Sequence, residues 1–289
     1  MRSSQFKNLS SISAMTSTKP SNVFQGLPTE LWESIFLHVD LRTLLTSATR
    51  VCHVWTDLIQ NSTALQQILF FAPNTRLQSD EKFHNSLLVD SFPSMFSRHE
   101  KEEDDFQFTI ESWDFVKHPE KQLAYMRPEA SWRRMLVQQP PIYKIGVWKE
   151  QFATIPVAKY YEMPSDENLT KIGIRMEDVF DEMFFNKDLS INELQFIWWQ
   201  KFSPMIREKV ERLEKVRKRG LEAGLILNNV SSSEDVEYSD EEYDEEENRR
   251  TSLVLKTSAM VKGMYEKLGL KPKTEERGRW TEPETYDWD

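Results

Sequence analysis

The sequence predicts an α+β protein, with a helical module near its N-terminal end, a mixed α+β body and disordered flanks. Three observations predict it. Between Leu27 and Phe71, large apolar residues recur at helical spacing in short runs, each opened by a helix-start residue. Further on, Leu194, Phe196 and Trp198 alternate with Gln195, Ile197 and Trp199, which is the period of a strand. Charge is also unevenly placed: the 289-residue chain carries −10 overall, yet Ser231 to Glu247 hold ten carboxylates and no base. Without those ten, 37 acids face 37 bases, so a neutral body carries one acidic tract.

Residues 1–23 are rich in Ser and Thr, carry Arg2, Lys7 and Lys19, and contain no acid. That composition is shared with transit peptides, but an arginine-rich amphipathic face is missing, and the reading adopted is a disordered tail. The helical module spans residues 24–72. Pro28 suits a first helical turn, where its missing N–H costs nothing, and Leu31, Ile35, Phe36 and Val39 follow at helical spacing. Asp40 is the expected N-cap of a second helix bearing Leu41, Leu44, Leu45 and Ala48. Val51, Val54, Trp55, Leu58 and Ile59 mark a third. Ser62 or Thr63 opens a fourth, with Leu65, Ile68, Leu69 and Phe71. So short a piece carries more large apolar side chains than it can bury against itself, and the surplus predicts a partner surface.

Residues 73–203 are expected to form one α+β domain. Ala72-Pro73-Asn74-Thr75 is turn chemistry that ends the helical module. An apolar segment over 83–96 is broken by Pro93, and the charged stretch 98–105 reads as a loop. Phe106, Phe108 and Ile110 alternate as in a short strand. A helix is expected over 130–137, weaker alternation over 142–148, a helix over 174–185, and a strand over 191–199. No internal repeat is present, which argues against leucine-rich repeats and propeller blades.

Residues 204–226 predict a charged helix. Pro204 suits its first turn, Glu208–Arg212, Glu211–Lys215 and Glu214–Lys218 are acid-first i,i+4 pairs, and Gly220 can end it. The glutamates neutralise half the bases of Arg212–Arg219, so a solvated helix is preferred there to a nucleic-acid patch. Residues 227–250 are expected to be disordered, because like charges repel and few apolar groups offset the ordering entropy. Ser231, Ser232 and Ser239 each have an acid three residues on and are candidate phosphorylation sites. Residues 251–289 read as a short helix, near 254–270, and an aromatic-acidic tail able to fold back on the body.

Several function classes are disfavoured. No basic excess suits nucleic acid, and no apolar run reaches the roughly 18–20 residues of a membrane span. Cys52 is the only cysteine, so an intrachain disulfide and a multi-cysteine zinc site are impossible. It lies in an apolar helix, where a free cysteine behaves as an inert small hydrophobe. Five histidines show no metal spacing, and no glycine loop cradles a phosphate. No catalytic residue, metal ligand or cofactor is therefore assigned.

The Leu27-Pro28 opening, Leu31 and Ile35 on successive turns, Leu44 in the second helix, and Arg50-Val51-Cys52…Trp55 in the third resemble an F-box. Leu65–Phe71, Arg127–Leu136 and Arg175-Met176…Phe180-Asp181 read like segments of a large group of fungal F-box proteins. The resemblance implies a substrate-recognition subunit of an SCF (Skp–cullin–F-box) ubiquitin ligase, working in the cytosol or nucleus. It implies that Leu27, Pro28, Leu31, Ile35, Leu44, Val51, Cys52 and Trp55 form the face for a Skp-type adaptor, and that cullin is reached through that adaptor. An unidentified protein substrate would be held by residues 73–203. The alternative is an F-box scaffold acting with the Skp-type adaptor outside ubiquitin transfer.

Overall fold

A computed structural model of the chain describes residues 27–74, 76–77, 81–96, 109–152, 157–162, 173–199, 224–232, 245–273 and 284–285. Those residues form an α+β fold with two hydrophobic cores. The tail 1–23, the charged helix over 204–219, the run from Phe106 to Phe108, and Ser239 lie outside the described residues.

The helical module begins as its start signals predict. Helix α1 (Thr29–Phe36) follows Pro28, whose carbonyl accepts from the Leu31 and Trp32 amides at 3.1 and 3.3 Å. Helix α2 (Leu41–Thr46) is capped by Asp40, whose Oδ1 accepts from the Thr43 amide at 2.9 Å. That bond to Thr43 holds the Asp40 carboxyl below its ordinary pKa. A 3₁₀ turn (Ala48–Arg50) leads to α3 (His53–Asn61). Helix α4 (Thr63–Ile68) is capped by Ser62, whose Oγ accepts from the Leu65 amide at 3.1 Å and donates to the Glu33 carboxylate, tying α4 to α1. Phe36, Leu44, Ala48, Ile59, Leu65 and Leu69 make the module's core.

The body opens with strand β1 (Phe83–His84) and helices α5 (Ser86–Ser91), α6 (Pro93–Phe96), α7 (Asp114–Lys117), α8 (Gln122–Met126) and α9 (Ser131–Arg134). Strand β2 (Gln138–Gln139) pairs with β1. The helix expected over 130–137 lasts only four residues. Met135 turns extended, its carbonyl accepts from the Met176 amide at 2.8 Å, and Leu136 N–H donates to the Phe70 carbonyl at 2.7 Å. Long-range backbone bonds there replace another helical turn.

Strands β3 (Ile145–Phe152) and β4 (Val157–Glu162) lead to helix α10 (Met176–Phe185), then β5 (Leu194–Trp198), β6 (Leu225–Ser232), helix α11 (Glu245–Leu268) and β7 (Glu284–Thr285). The sheet order is β5-β6-β3-β4-β7, with β3 parallel to β6 and the other pairs antiparallel. Val147, Phe196 and Leu227, neighbours on one face of the sheet, lie in the same core as Val179, Phe180 and Met183 of α10. The strand expected over 191–199 is shorter, because residues 191–193 form a 3₁₀ turn ahead of β5.

Two expected boundaries are corrected. Leu225 and Ile226, assigned to the charged helix, and residues 227–232, assigned to the disordered tract, together form β6, an inner strand bonded on both sides. Residues 245–250, also assigned to the tract, open α11, which therefore starts nine residues before Val254. Helix α11 is no separate appendage, since Val261 and Tyr265 lie in the same core as α10. Pairing with distant strands and packing on α10 supply what local composition lacks.

The module and body are joined by more than chain continuity. Leu45 and Phe71 pack against both cores. Gln139 donates through Nε2 to the Ala72 carbonyl at 2.8 Å and accepts from the Asn74 amide at 2.9 Å. The Arg134 guanidinium lies 4.9 Å from the centre of the Phe71 ring.

Candidate docking surface

Helix α1 is two-faced. Trp32 and Phe36, one turn apart, point at α3, where Trp55 meets them with ring centroids 5.0 and 4.9 Å away. Leu31 and Ile35, also one turn apart, are displaced by one residue and face outward. They remain 49% and 46% exposed, and Leu27 just before the helix is 45% exposed. On the α3 side, Val51 and Val54 flank Cys52 and are 50% and 59% exposed. The aromatic contact among Trp32, Phe36 and Trp55 holds α1 against α3, so these two sets of exposed apolar side chains belong to one pair of packed helices. Leu37, 39% exposed, adds to the set at the end of α1.

The residues assigned to an adaptor face therefore divide into groups. Leu27, Pro28, Leu31, Ile35 and Val51 are exposed. Trp55 is half-buried in the aromatic cluster, and half-buried Cys52 precedes α3, its carbonyl accepting from the Thr56 amide at 3.1 Å. Leu44 is a correction: its side chain is fully buried in the module's core, so it supports the surface from within. An amphipathic period shows that Leu44 faces one way but not whether that side meets the chain or a partner. Val54 and Leu37 were missed. Helical spacing from Val51 could not find Val54, because Cys52 is extended and α3 begins only at His53, so the two valines lie on different elements.

The main polar constellation lies in the body, where α9, α10 and α11 meet. Arg133, 1% exposed, donates from Nη1 to Glu177 Oε1 at 3.0 Å and to Tyr265 Oη at 2.8 Å. Its Nε and Nη2 reach the carbonyls of Arg127 and Met126 at 3.0 and 3.3 Å. Tyr265 donates on to Asp181 Oδ1 at 2.6 Å, and the Lys273 amide donates to Asp181 Oδ2 at 2.9 Å. Lys273 Nζ bridges Glu177 and Asp178 at 2.8 and 3.1 Å. Burial lifts the Asp181 carboxyl to about 6 against the lowering pull of those two donors, and burial also raises the Tyr265 phenol. The acids have internal partners and bind the second side of α10 to α11, a structural use of charge.

A polar cleft of about 220 Å³ between the 109–111 loop and α11 is lined by Thr109, Glu111, Asn192, Arg250 and Thr251, among others. Among the described residues, no group of three or more His, Cys, Asp or Glu is placed to hold a metal ion, and no helix is long and apolar enough to cross a membrane. Ser231 and Ser232 end the inner strand β6, in register with Gln151 and Phe152. Their backbones are engaged by β3 rather than loose in an acidic coil. No known protein family, curated protein or solved structure matches the chain.

Proposed function

We propose that this chain is a non-catalytic adaptor subunit of an SCF-type ubiquitin ligase, with the α1–α3 surface as its docking face for a Skp-type adaptor and the α+β body as its substrate-holding part. The observation that carries the reading is the placement of exposed apolar side chains. Among the described residues ten large hydrophobics are exposed, and six of them (Leu27, Leu31, Ile35, Leu37, Val51 and Val54) fall within 28 residues of sequence. Scattered single hydrophobics need no explanation, whereas such a concentration suits a protein–protein contact. The ordered Leu-Pro, Val-Cys and Trp pattern gives the contact its proposed identity.

Its mechanism would be proximity. A substrate held near a charged ubiquitin conjugate reacts at a raised effective concentration, with no residue of this chain forming or breaking a bond. The bonds joining module and body suit such a role, because they fix the direction in which a bound substrate is presented.

The test is co-expression with a Skp-type adaptor, size-exclusion chromatography and a cullin pull-down. A stoichiometric complex that captures cullin is the expected result. A complex that never captures cullin would instead select the scaffold reading. A folded chain that ignores the adaptor would leave α1 to α4 as a helical subdomain and overturn the proposal.

A further inference from the structure

Arg133 and Arg134 are neighbours on α9 with opposite fates. The Arg133 guanidinium is buried and shares Glu177 with Lys273. Arg134 is exposed, and its guanidinium lies over the ring of half-buried Phe71. A second guanidinium reaches the same place from 41 residues on. Arg175, half-buried just before α10, donates from Nη1 to the Arg134 carbonyl, one of the orphan acceptors at the end of α9. The backbone fixes this approach. The Met176 amide bonds the Met135 carbonyl at 2.8 Å, and Arg175 bridges Leu136 as in an antiparallel pair.

The acids that follow Arg175 are engaged elsewhere. Glu177 accepts through Oε1 from Arg133 and through Oε2 from Lys273. Asp178 accepts through Oδ1 from Lys273 and through Oδ2 from the Arg175 amide, not from its side chain. Among the described residues no carboxylate forms an ion pair with Arg134 or Arg175. Burial lowers the Arg175 pKa, the Asp178 charge opposes that, and the Arg134 charge adds to it. Both guanidiniums are therefore oriented by neutral partners, an aromatic face and a backbone carbonyl. An aromatic face fixes the guanidinium plane and leaves its edge N–H groups to bond an oxyanion. A phosphate dianion suits two such forks, because it accepts from both and offsets both charges, whereas one carboxylate offsets only one.

We propose that Arg134 and Arg175 form a binding site for a phosphate dianion, free or as a monoester, at the junction where Phe71 packs against both cores. The site shares no residue with the proposed adaptor face, and its test involves no Skp-type adaptor, so either reading can fail alone.

The test titrates the full chain, at low salt and slightly alkaline pH, with two probes: inorganic phosphate and a capped glycine peptide with one central phosphoserine. The readout is the Nε–Hε signals of the arginine side chains in nitrogen-15 NMR spectra, assigned through Arg134→Ala and Arg175→Lys. Saturable shifts of both signals are expected with at least one probe at millimolar concentration. Arg134→Ala should weaken that binding about ten-fold, the loss expected for charge-assisted hydrogen bonds to one fork. Arg175→Lys, which keeps the charge and removes the fork, should weaken it about five-fold. The same peptide with glutamate in place of phosphoserine should bind about ten-fold more weakly than the phosphopeptide. Tighter binding of the phosphopeptide than of inorganic phosphate supports the site and makes a phosphorylated side chain its ligand; the reverse order supports it with free phosphate as ligand. No saturable shift with either probe would overturn the proposal, as would unchanged affinity in folded Arg134→Ala or a glutamate peptide that binds as well as both phosphate probes. Arg134 is exposed, so its variant folds and decides the matter even if Arg175→Lys does not fold.

Discussion

Replacing Leu31 and Ile35 together by alanine separates a docking surface from a packing surface. In the free chain both side chains are about half exposed, so association buries the remaining half. Full burial of such a side chain is worth about 1.5–3 kcal/mol, which leaves about 1 kcal/mol for each residue and about 2 kcal/mol for the pair. That corresponds to a roughly 30-fold loss in affinity for a Skp-type adaptor. The stability of the free chain should fall by only about 1 kcal/mol, partly offset by the higher helix propensity of alanine over isoleucine. Leu44→Ala is the internal control. Its side chain is fully buried, and its loss should cost about 2–5 kcal/mol of folding stability through lost burial and a cavity. Isothermal titration calorimetry measures the first quantity and urea denaturation the second. The reasoning is refuted if the folded double variant binds within two-fold of wild type, or if it is destabilised as much as Leu44→Ala.

Arg133→Ala should destabilise the body by about 3–5 kcal/mol, because two backbone carbonyls lose a partner, Tyr265 Oη loses a donor and Glu177 loses a cationic partner; denaturant titration checks it. Asp181 gives a pH dependence of defined sign. Burial raises its folded pKa from the ordinary 3.8 to about 6, so the protonated acid favours the fold. That contribution is full below about pH 4 and is lost as pH rises through about 6. The stability of wild type relative to Asp181→Asn is therefore expected to fall between those values, and a flat difference across unfolding curves at pH 4, 5, 6 and 7 would contradict the assignment. Ser62→Ala should cost about 1–2 kcal/mol in thermal or chemical unfolding, as the α4 cap and the Glu33 tie go together.

The candidate site was more legible in the sequence than the sheet. Pro28, Asp40 and Ser62 announce helix starts through the local chemistry of orphan amides, and the structure begins α1, α2 and α4 directly after them. The surplus of apolar residues over 27–71 predicted a partner surface, and of those residues the structure leaves Leu27, Leu31, Ile35, Leu37, Val51 and Val54 exposed. Leu31 and Leu44 share a type and a helical setting, but one faces solvent and the other the module's core. Periodicity defines a direction on a helix, and only the packing of α1 on α3 decides what stands in that direction.

Local sequence also settled α10, whose apolar stripe Met176, Val179, Phe180 and Met183 lies in the body's core. It did not foresee that Asp178 and Asp181 on its other side would be buried too, because the partners Arg133, Tyr265 and Lys273 of this acidic side come from 44 or more residues away in sequence. Strand β6 shows the limit most plainly. Leu225-Ile226-Leu227-Asn228-Asn229-Val230 is a short apolar run beside an acidic tract, and alone it carries no sign of order. It becomes an inner strand because β3 and β5, distant in sequence, bond to both of its sides. Helix caps and amphipathic stripes depend on residues three or four apart and are written in the chain itself. Strand partners, buried ion networks and the choice between core and surface depend on which distant segments meet, and the tertiary structure alone decided them.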